Sequence, residues 1–444
     1  MPHASCKSHQ RTLLAMAAAS MLFTAAHAAE PHLFANHVVP SAAARHANTS
    51  IQAVSSLQSS RQMQLVDANA RAVSPGTERL DFNLQPGRSM QVEKMNAYRN
   101  EDGTVVWTGV VGGETSMIDR LRKFGRGEMV EDPQNTPTIV RDGDTLTGSI
   151  RVDGQLFSIQ PMAGGKHVIV EVDESKLPSD DAHGEALPVI PMQTQASFDT
   201  AADSTEPTRI RVGLVFTTYA AQRIASRNAW AQAVIADAND AYSRSGVKIR
   251  LVLAGTRVVD YLESRPGGSS GAESYESFSR DLDRFRNPRD GYMDGVHQFR
   301  NQNNADVMVL VRRQNDELCG KASGIGSNAA TAFAALSMSC GPGRYTFGHE
   351  LGHLQGARHD VAHDDSTQPK PYAHGTIRTN APGGRYRTLM STCWEDQDWC
   401  WNTPRVNLVS NPNRSFNGVA TGNASRADNH RAMNESRRVI AGFR

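Results

Sequence analysis

Four residues stand at a spacing that can hold a metal ion and use it: His349, Glu350, His353 and His359 in the run His349-Glu350-Leu351-Gly352-His353-Leu354-Gln355-Gly356-Ala357-Arg358-His359-Asp360. On a helix, His349 and His353 lie on one face a turn apart, so both imidazoles reach a single ion. Glu350 flanks the first of them, placed to act on water. Gly356 lets the backbone turn sharply off the helix end, and His359 then comes back as a third nitrogen ligand. Three His ligands and one open position describe a catalytic zinc site, not a closed structural one. Such a site lowers the pKa of water and polarises a carbonyl, with Glu350 as the proton carrier, so its chemistry is hydrolysis. The competing reading is an amphipathic helix whose histidines are merely exposed.

The elements needed to position these groups are legible around them. Residues 345–355 read as a helix ending at Gly356. The region 208–444 alternates strands and helices. Residues 210–217, 247–253, 306–311 and 331–338 read as strands. Residues 220–245 carry apolar positions at helical spacing and close at Gly246. Residues 275–286 and a last stretch capped by Asp428 or Asn429 read as helices. Upstream, residues 80–178 show short alternating runs separated by Asp102-Gly103, Asp142-Gly143, Asp153-Gly154 and Gly164-Gly165, the pattern of a small β-rich domain. Residues 29–75, rich in Ala, Ser, Gln and Asn, read as flexible or loosely helical. Residues 178–208, with Pro178, Pro188, Pro191 and Pro207, read as an extended, exposed linker open to proteases.

The helix motif and the residues downstream of it resemble the metzincin metallopeptidases, whose zinc signature is followed by a turn bearing a methionine. Arg387-Thr388-Leu389-Met390-Ser391 fits that turn, with Met390 as its methionine. Asp360 directly after the third histidine resembles the reprolysin-like branch. Ser391-Thr392-Cys393 comes after the methionine, so the tyrosine of the astacin-like and serralysin-like branches is missing. The stretch from Asp306 to Leu310 before Cys319-Gly320, and Ser410-Asn411-Pro412 before Thr421-Gly422, look like secreted bacterial members, most of all the peptidyl-Asp metalloendopeptidase family.

That resemblance implies an α/β metzincin catalytic domain over 208–444, with a twisted mixed sheet, an active-site helix beneath it and a C-terminal subdomain after Gly356. Residues 331–338 would be the edge strand bordering the cleft, where a peptide adds as an extended strand. It implies a zymogen, with a propeptide over 29–190, activation cleavage in the linker 191–207, and the chain's own propeptide as inhibitor. No cysteine lies between residues 29 and 318, so a cysteine on the metal is not the device. An acidic side chain, a histidine such as His167, or steric cover takes its place. Finally, it implies cleavage on the N-terminal side of Asp, with Glu as a further acceptable residue. The pocket after the scissile bond then needs a cation, and Arg378, Arg385, Arg387 and Arg405 are the basic residues at hand. Arg405, between Pro404 and Val406, is the preferred one, since a guanidinium can grip a carboxylate with two nitrogens. The alternative for each is a solvated surface charge.

The rest of the chain bounds the setting. Lys7 and Arg11, the apolar run 13–26 and Ala26-His27-Ala28 read as a signal peptide over 1–28 cut after Ala28, hence secretion. The exported chain keeps Cys319, Cys340, Cys393 and Cys400, an even number suited to an oxidising compartment. Three pairings can be drawn. Cys319 with Cys340 and Cys393 with Cys400 close the shortest loops. With 47 Lys+Arg against 46 Asp+Glu, the net charge of +1 argues against a basic nucleic-acid binder. No later apolar run approaches the roughly 20 residues that span a bilayer. His363, His374, Asp364 and Asp365 read as polar loop residues, without the spaced-acid pattern of a calcium loop. The partners are protein or peptide substrates. Two other readings stand beside the peptidase: a zinc hydrolase acting on non-peptide amides, and a secreted binding protein with a decayed catalytic fold.

Overall fold

The computed structural model describes residues 32–47, 49–125, 127–162, 164–180, 187–192, 206–264, 271–313, 318–393 and 397–444. Residues 1–28, read as a signal peptide, and 193–205, within the stretch expected to hold the activation cleavage, lie outside the described residues.

Nine strands build the N-terminal part: β1 (Phe34–Val38), β2 (Ser60–Ala68), β3 (Arg79–Gln85), β4 (Arg88–Arg99), β5 (Val105–Val111), β6 (Pro137–Asp142), β7 (Thr145–Val152), β8 (Gln155–Pro161) and β9 (His167–Val172). They pair in the order β1-β2-β9-β8-β7-β6-β5-β4-β3. The Leu33 N–H donates to the Asp81 carbonyl across 2.9 Å, so the two ends of the sheet meet and it curls around its own core. Strand alternation sorts the side chains. Val105 and Trp107 face inward with Phe82, Ile139 and Ile159, while Val106 and Val140 face outward. Asp153 and Gly154 have φ of 50° and 82°, the left-handed pair that a two-residue hairpin requires between β7 and β8.

Two expectations are corrected here. The stretch 29–75, read as flexible or loosely helical, holds strands beside its helices among the described residues. It supplies β1, β2, α1 (Ala42–Ala47) and α2 (Thr49–Ser55), because Leu33, Phe34 and Val66 bury completely in the barrel-like core. His167 is a wall residue of that sheet. Its Nε2 accepts the Leu146 N–H at 2.9 Å, and burial pushes its pKa down to about 4. It therefore has no part in covering a metal. A helix α3 (Gly113–Phe124) comes after β5.

The second part holds β10 (Thr208–Thr217), β11 (Ile249–Val259), β12 (Val307–Arg312), β13 (Gly320–Ala322) and β14 (Phe333–Ser337), in the order β11-β10-β12-β14-β13. All pairs are parallel except β13 with β14. The expected edge strand, 331–338, is thus an interior strand, and the edge is the short β13. β14 pairs with β12 on one side and β13 on the other, and Phe333 and Leu336 are buried on its opposite faces.

Helices cover both faces, so β12 is buried throughout. Val307, Val309 and Val311 pack toward α5 (Arg227–Ser245) and α8 (Thr346–Leu354). Met308 and Leu310 pack toward α6 (Gly271–Arg286) and α7 (Gly295–Gln302). The helix read over 220–245 breaks in two after α4 (Thr218–Ala221), where the Ser226 hydroxyl caps α5 by accepting the Ala229 N–H at 3.1 Å. α5 is apolar on opposite sides because it is a shared helix. Ala231, Val234 and Ala238 face the parallel sheet, while Ala229, Ala233 and Ala236 face Val106 and Val140 of the β-rich part. A short α9 (Asp398–Trp401) and α10 (Asn429–Ile440), capped by the Asp428 side chain, complete the chain. Among the described residues, no helix is long and apolar enough to cross a membrane.

Candidate active site

α8 is buried along its whole length, which its glycines permit. A Cβ on Gly348 would meet Ala238 of α5 and Leu389 at 3.4 Å, and one on Gly352 would lie 2.4 Å from Met390 Sδ. The helix ends in a Schellman turn: the Gly356 N–H donates to the His353 carbonyl and the Ala357 N–H to the Gly352 carbonyl, both at 2.9 Å. Gly356 takes φ of 90° there, and the chain returns as the strand Arg358–Asp360. That return carries His359 back to the helix.

The three imidazoles converge. His353 Nε2 lies 3.1 Å from His349 Nε2 and 3.1 Å from His359 Nε2, and the third separation is 3.3 Å. Tetrahedral zinc with bonds near 2.0–2.1 Å sets its nitrogens about 3.3 Å apart, so the donor set fits that ion in number, type and spacing. The far nitrogens are held by the backbone. His349 Nδ1 faces the Leu389 carbonyl and His353 Nδ1 the Ala357 carbonyl, both at 2.9 Å. An Nδ1–H given to these carbonyls leaves the corresponding Nε2 lone pair for a metal. Leu389 and Met390 form a tight turn closed by the Ser391 N–H on the Thr388 carbonyl at 3.0 Å, so the same turn orients His349 and packs under Gly352.

Glu350 is buried beside the edge strand, where a Cβ on Gly320 would stand 2.3 Å from its Oε1. Only glycine at 320 leaves room for that carboxylate. The disulfide Cys319–Cys340 ties the start of β13 to the turn preceding α8, and Cys393–Cys400 ties the segment after Met390 to α9. Both are the pairs expected from loop length.

Residues 206–404 match the Reprolysin_5 family, metallo-peptidase family M12. The chain is 41% identical over 424 residues to a peptidyl-Asp metalloendopeptidase of Stenotrophomonas maltophilia, covering 95% of each. The chain belongs to the peptidyl-Asp metalloendopeptidase family. A Xanthomonas campestris relative of the same name is 39% identical over 91% of each chain. One from Pseudomonas fragi is 32% identical over 209 residues, all of its own length and 47% of this chain. This member of the family is a zinc metalloendopeptidase.

Of the four arginines expected near its specificity pocket, the structure brings two toward α8. Arg405 is buried with Nη1 at 2.7 Å from Asp180 and Nη2 at 2.7 Å from His349 Nδ1. Guanidinium and imidazole share the Leu389 carbonyl. Arg387 stands behind it, donating to the Thr403 and Ser391 carbonyls. Burial and then Arg405 push its pKa down to about 9. Arg378 holds the Ala420 and Gly422 carbonyls instead, and Arg385 is exposed.

The polar loop residues have structural partners. His363 is buried against the Asp360 carboxylate at 2.8 Å, His374 Nδ1 faces the His359 carbonyl at 2.9 Å, and Asp364 pairs with Arg358 at 2.7 Å. Asp365 is exposed.

Sequence reading missed Asp180, Thr346 and Gly320. At the start of the stretch expected to be an exposed linker, Ser179 and Asp180 are buried against the site, while Pro188, Val189 and Pro191 are exposed. The Ser179 carbonyl accepts the Cys319 N–H at 2.8 Å and the Asp180 carbonyl the Gly320 N–H at 3.2 Å. No local signal marks these residues, because their partners lie far along the chain.

Proposed function

We propose that the chain is a secreted metzincin-type endopeptidase that cuts on the N-terminal side of aspartate and is made as a zymogen. In this reading 29–190 is the propeptide, 191–207 holds the activation cleavage and 208–444 is the peptidase unit. The single observation that carries the catalytic reading is the convergence of three Nε2 atoms within 3.3 Å, one residue along the helix from Glu350.

His349, His353 and His359 hold the ion, and zinc bound there polarises the scissile carbonyl and acidifies water. Glu350 takes the proton from the attacking water and hands it to the leaving nitrogen. The Leu389 and Ala357 carbonyls keep the two helix imidazoles in the ligating tautomer. Met390 packs beneath them as the methionine of the turn. β13 and the residues after it receive the substrate as an added strand, a use supported by the pairing of Ile190 and Pro188 with Ile325, both at 2.9 Å. The acid of the substrate enters beside His349, where Arg405 is buried and aimed at a carboxylate. Arg387 stands behind Arg405 as a second positive charge.

Propeptide cover is supported by the contacts of the β-rich part. Arg151 of β7 donates to the Tyr345 hydroxyl at 2.9 Å and to the Gly343 carbonyl at 2.8 Å, just before α8. Glu174 binds Arg151 at 2.7 Å and Arg344 at 3.3 Å. Burial opposes its charge, but Arg151 and then Arg344 hold its pKa at about 2. Glu128 takes the Asn417 N–H at 2.7 Å on the C-terminal side. Secretion is supported by two disulfides. The relative from Pseudomonas fragi, whose whole length matches 47% of this chain, supports a peptidase unit of about half its size.

The test is cleavage-site profiling of a denatured protein mixture, with and without a zinc chelator. Chelator-sensitive cuts before Asp are expected. Cuts before large apolar residues would refute the specificity and leave the peptidase standing. Activity confined to small amides would favour the non-peptide hydrolase.

A further inference from the structure

We propose that Asp180 of the pro-segment occupies the pocket that receives a substrate's acid, and that Thr346 is the second residue that reads that acid. The proposal rests on the reading of Arg405 given above.

The pocket already holds a carboxylate, and the two oxygens are read separately. Arg405 Nη1 donates to Asp180 Oδ2 at 2.7 Å, and Thr346 Oγ1 donates to Oδ1 at 2.7 Å. Asp180, Arg405 and Thr346 are at most 3% exposed. A buried carboxylate is costly unless paired and hydrogen-bonded, and here both conditions are met. Burial alone would raise the Asp180 carboxyl, but Arg405 and then Arg344 outweigh it and hold it well below the usual carboxylate range. Thr346 opens α8 one turn before His349, so the pocket it lines adjoins the first metal ligand.

The backbone around Asp180 is that of a plug. The carbonyl of the bond preceding Asp180 belongs to Ser179, and it is engaged by the Cys319 N–H at 2.8 Å. The acid fills its pocket while that carbonyl is tied to the strand side of the cleft. Further on, the segment lies along the residues after β13. A Cβ on Gly324 would stand 2.5 Å from the Pro188 carbonyl oxygen, and one on Gly326 would stand 2.6 Å from that of Ile190. The pro-segment advances in the same direction as the edge, from the bonds of Ser179 with Cys319 and of Asp180 with Gly320 to the parallel bridge of Val189 with Ile325. Substrate and pro-segment then compete for one acid pocket and one strand edge.

The experiment has two arms. Full-length wild-type and Asp180→Ala chains are assayed on a fluorogenic peptide containing one Asp, while mass spectrometry finds the chain uncut. The variant should turn over about a hundredfold faster, the order expected when one side of a buried charge pair is removed. In the second arm, a synthetic peptide covering residues 176–192 is added to wild-type enzyme already cut in its linker. It should inhibit competitively, and its Asp180→Ala version should be about a hundredfold weaker. A Thr346→Val enzyme should bind the wild-type peptide more weakly and show a raised KM for Asp substrates with little change in kcat. Equal latency of the two chains together with equal inhibition by the two peptides would overturn the proposal. If the Asp180→Ala chain fails to fold, the peptide pair decides by itself. Profiling the cut enzyme without peptide keeps the two readings apart. No preference for Asp there refutes the Arg405 pocket, whereas a preference for Asp with equally potent peptides refutes only the plug.

Discussion

Met390 Sδ fills the space that a side chain on Gly352 would need, since a Cβ built there lies 2.4 Å from it. The glycine sits in the interior of α8, where it costs about 1 kcal/mol relative to alanine in an ordinary helix. Here the order reverses. Gly352→Ala must displace the buried Met390 side chain, which adjoins the Leu389 carbonyl that faces His349. Overpacking of this kind costs about 1–3 kcal/mol. The variant should melt lower and bind zinc more weakly, measured by thermal denaturation and by competition with a chelator. Unchanged melting and zinc affinity would show that the turn yields freely.

Glu350→Gln should keep the fold and one equivalent of zinc while losing activity by about 10²–10⁴-fold, the usual contribution of a positioned proton carrier. Metal analysis and peptide turnover on the same preparation check it. Near-normal turnover would remove Glu350 from the mechanism.

Cys319 and Cys340 close a loop of sequence separation 21 that sets β13 against the approach to α8. Replacing both by Ala should cost about 3 kcal/mol by loop entropy. Because Gly320 faces Glu350, activity should fall more than the loss of folded enzyme accounts for. Turnover per folded molecule, from active-site titration with a tight inhibitor, separates the two effects. Activity that tracks the folded fraction alone would mean the bridge does not position the edge.

His167 gives the β-rich part a pH dependence of definite sign. Burial holds its pKa at about 4, below the ordinary value of 6.5, against the opposing pull of Asp67. The unfolded chain takes the proton first. The stability is therefore full above pH 6.5 and is lost as pH falls toward 4, on the order of 3 kcal/mol. In an inactive Glu350→Gln background, melting of the full chain should drop more steeply from pH 7 to 4 than that of a His167→Gln variant. Parallel curves would assign the acid sensitivity elsewhere.

Much of the metal centre was readable in the chain, because His349, Glu350 and His353 are positioned by a local rule, the four-residue repeat of a helix. His359 is brought in by Gly356, a single residue whose freedom decides the direction of the return. Most strands and helices of 208–444 were readable for a similar reason, their periodicities being written into consecutive residues. β1 and β2 were not, since Ala, Ser and Gln dilute the alternation until only burial of Phe34 and Val66 in a distant core reveals it. The break between α4 and α5 turned on one capping bond of Ser226.

Residue types and spacing therefore determined a zinc site and four cysteines whose shortest loops were favoured, and the resemblance to metzincins added a Met-bearing turn and a set of arginines. Which strand forms the rim of the cleft was decided by sheet order, and short β13 took the edge that the longer run 331–338 was expected to hold. Which arginine meets an acid was decided by the packing of residue 405 against α8, some fifty positions away in the chain. That Asp180 lies buried at the site, between Thr346 and Arg405, depended on contacts separated by 166 and 225 residues. Spacing along a chain encodes what neighbours within a turn or a strand can do. Pairings over such distances exist only after the chain has chosen, among many burials of comparable free energy, the one that satisfies its buried charges.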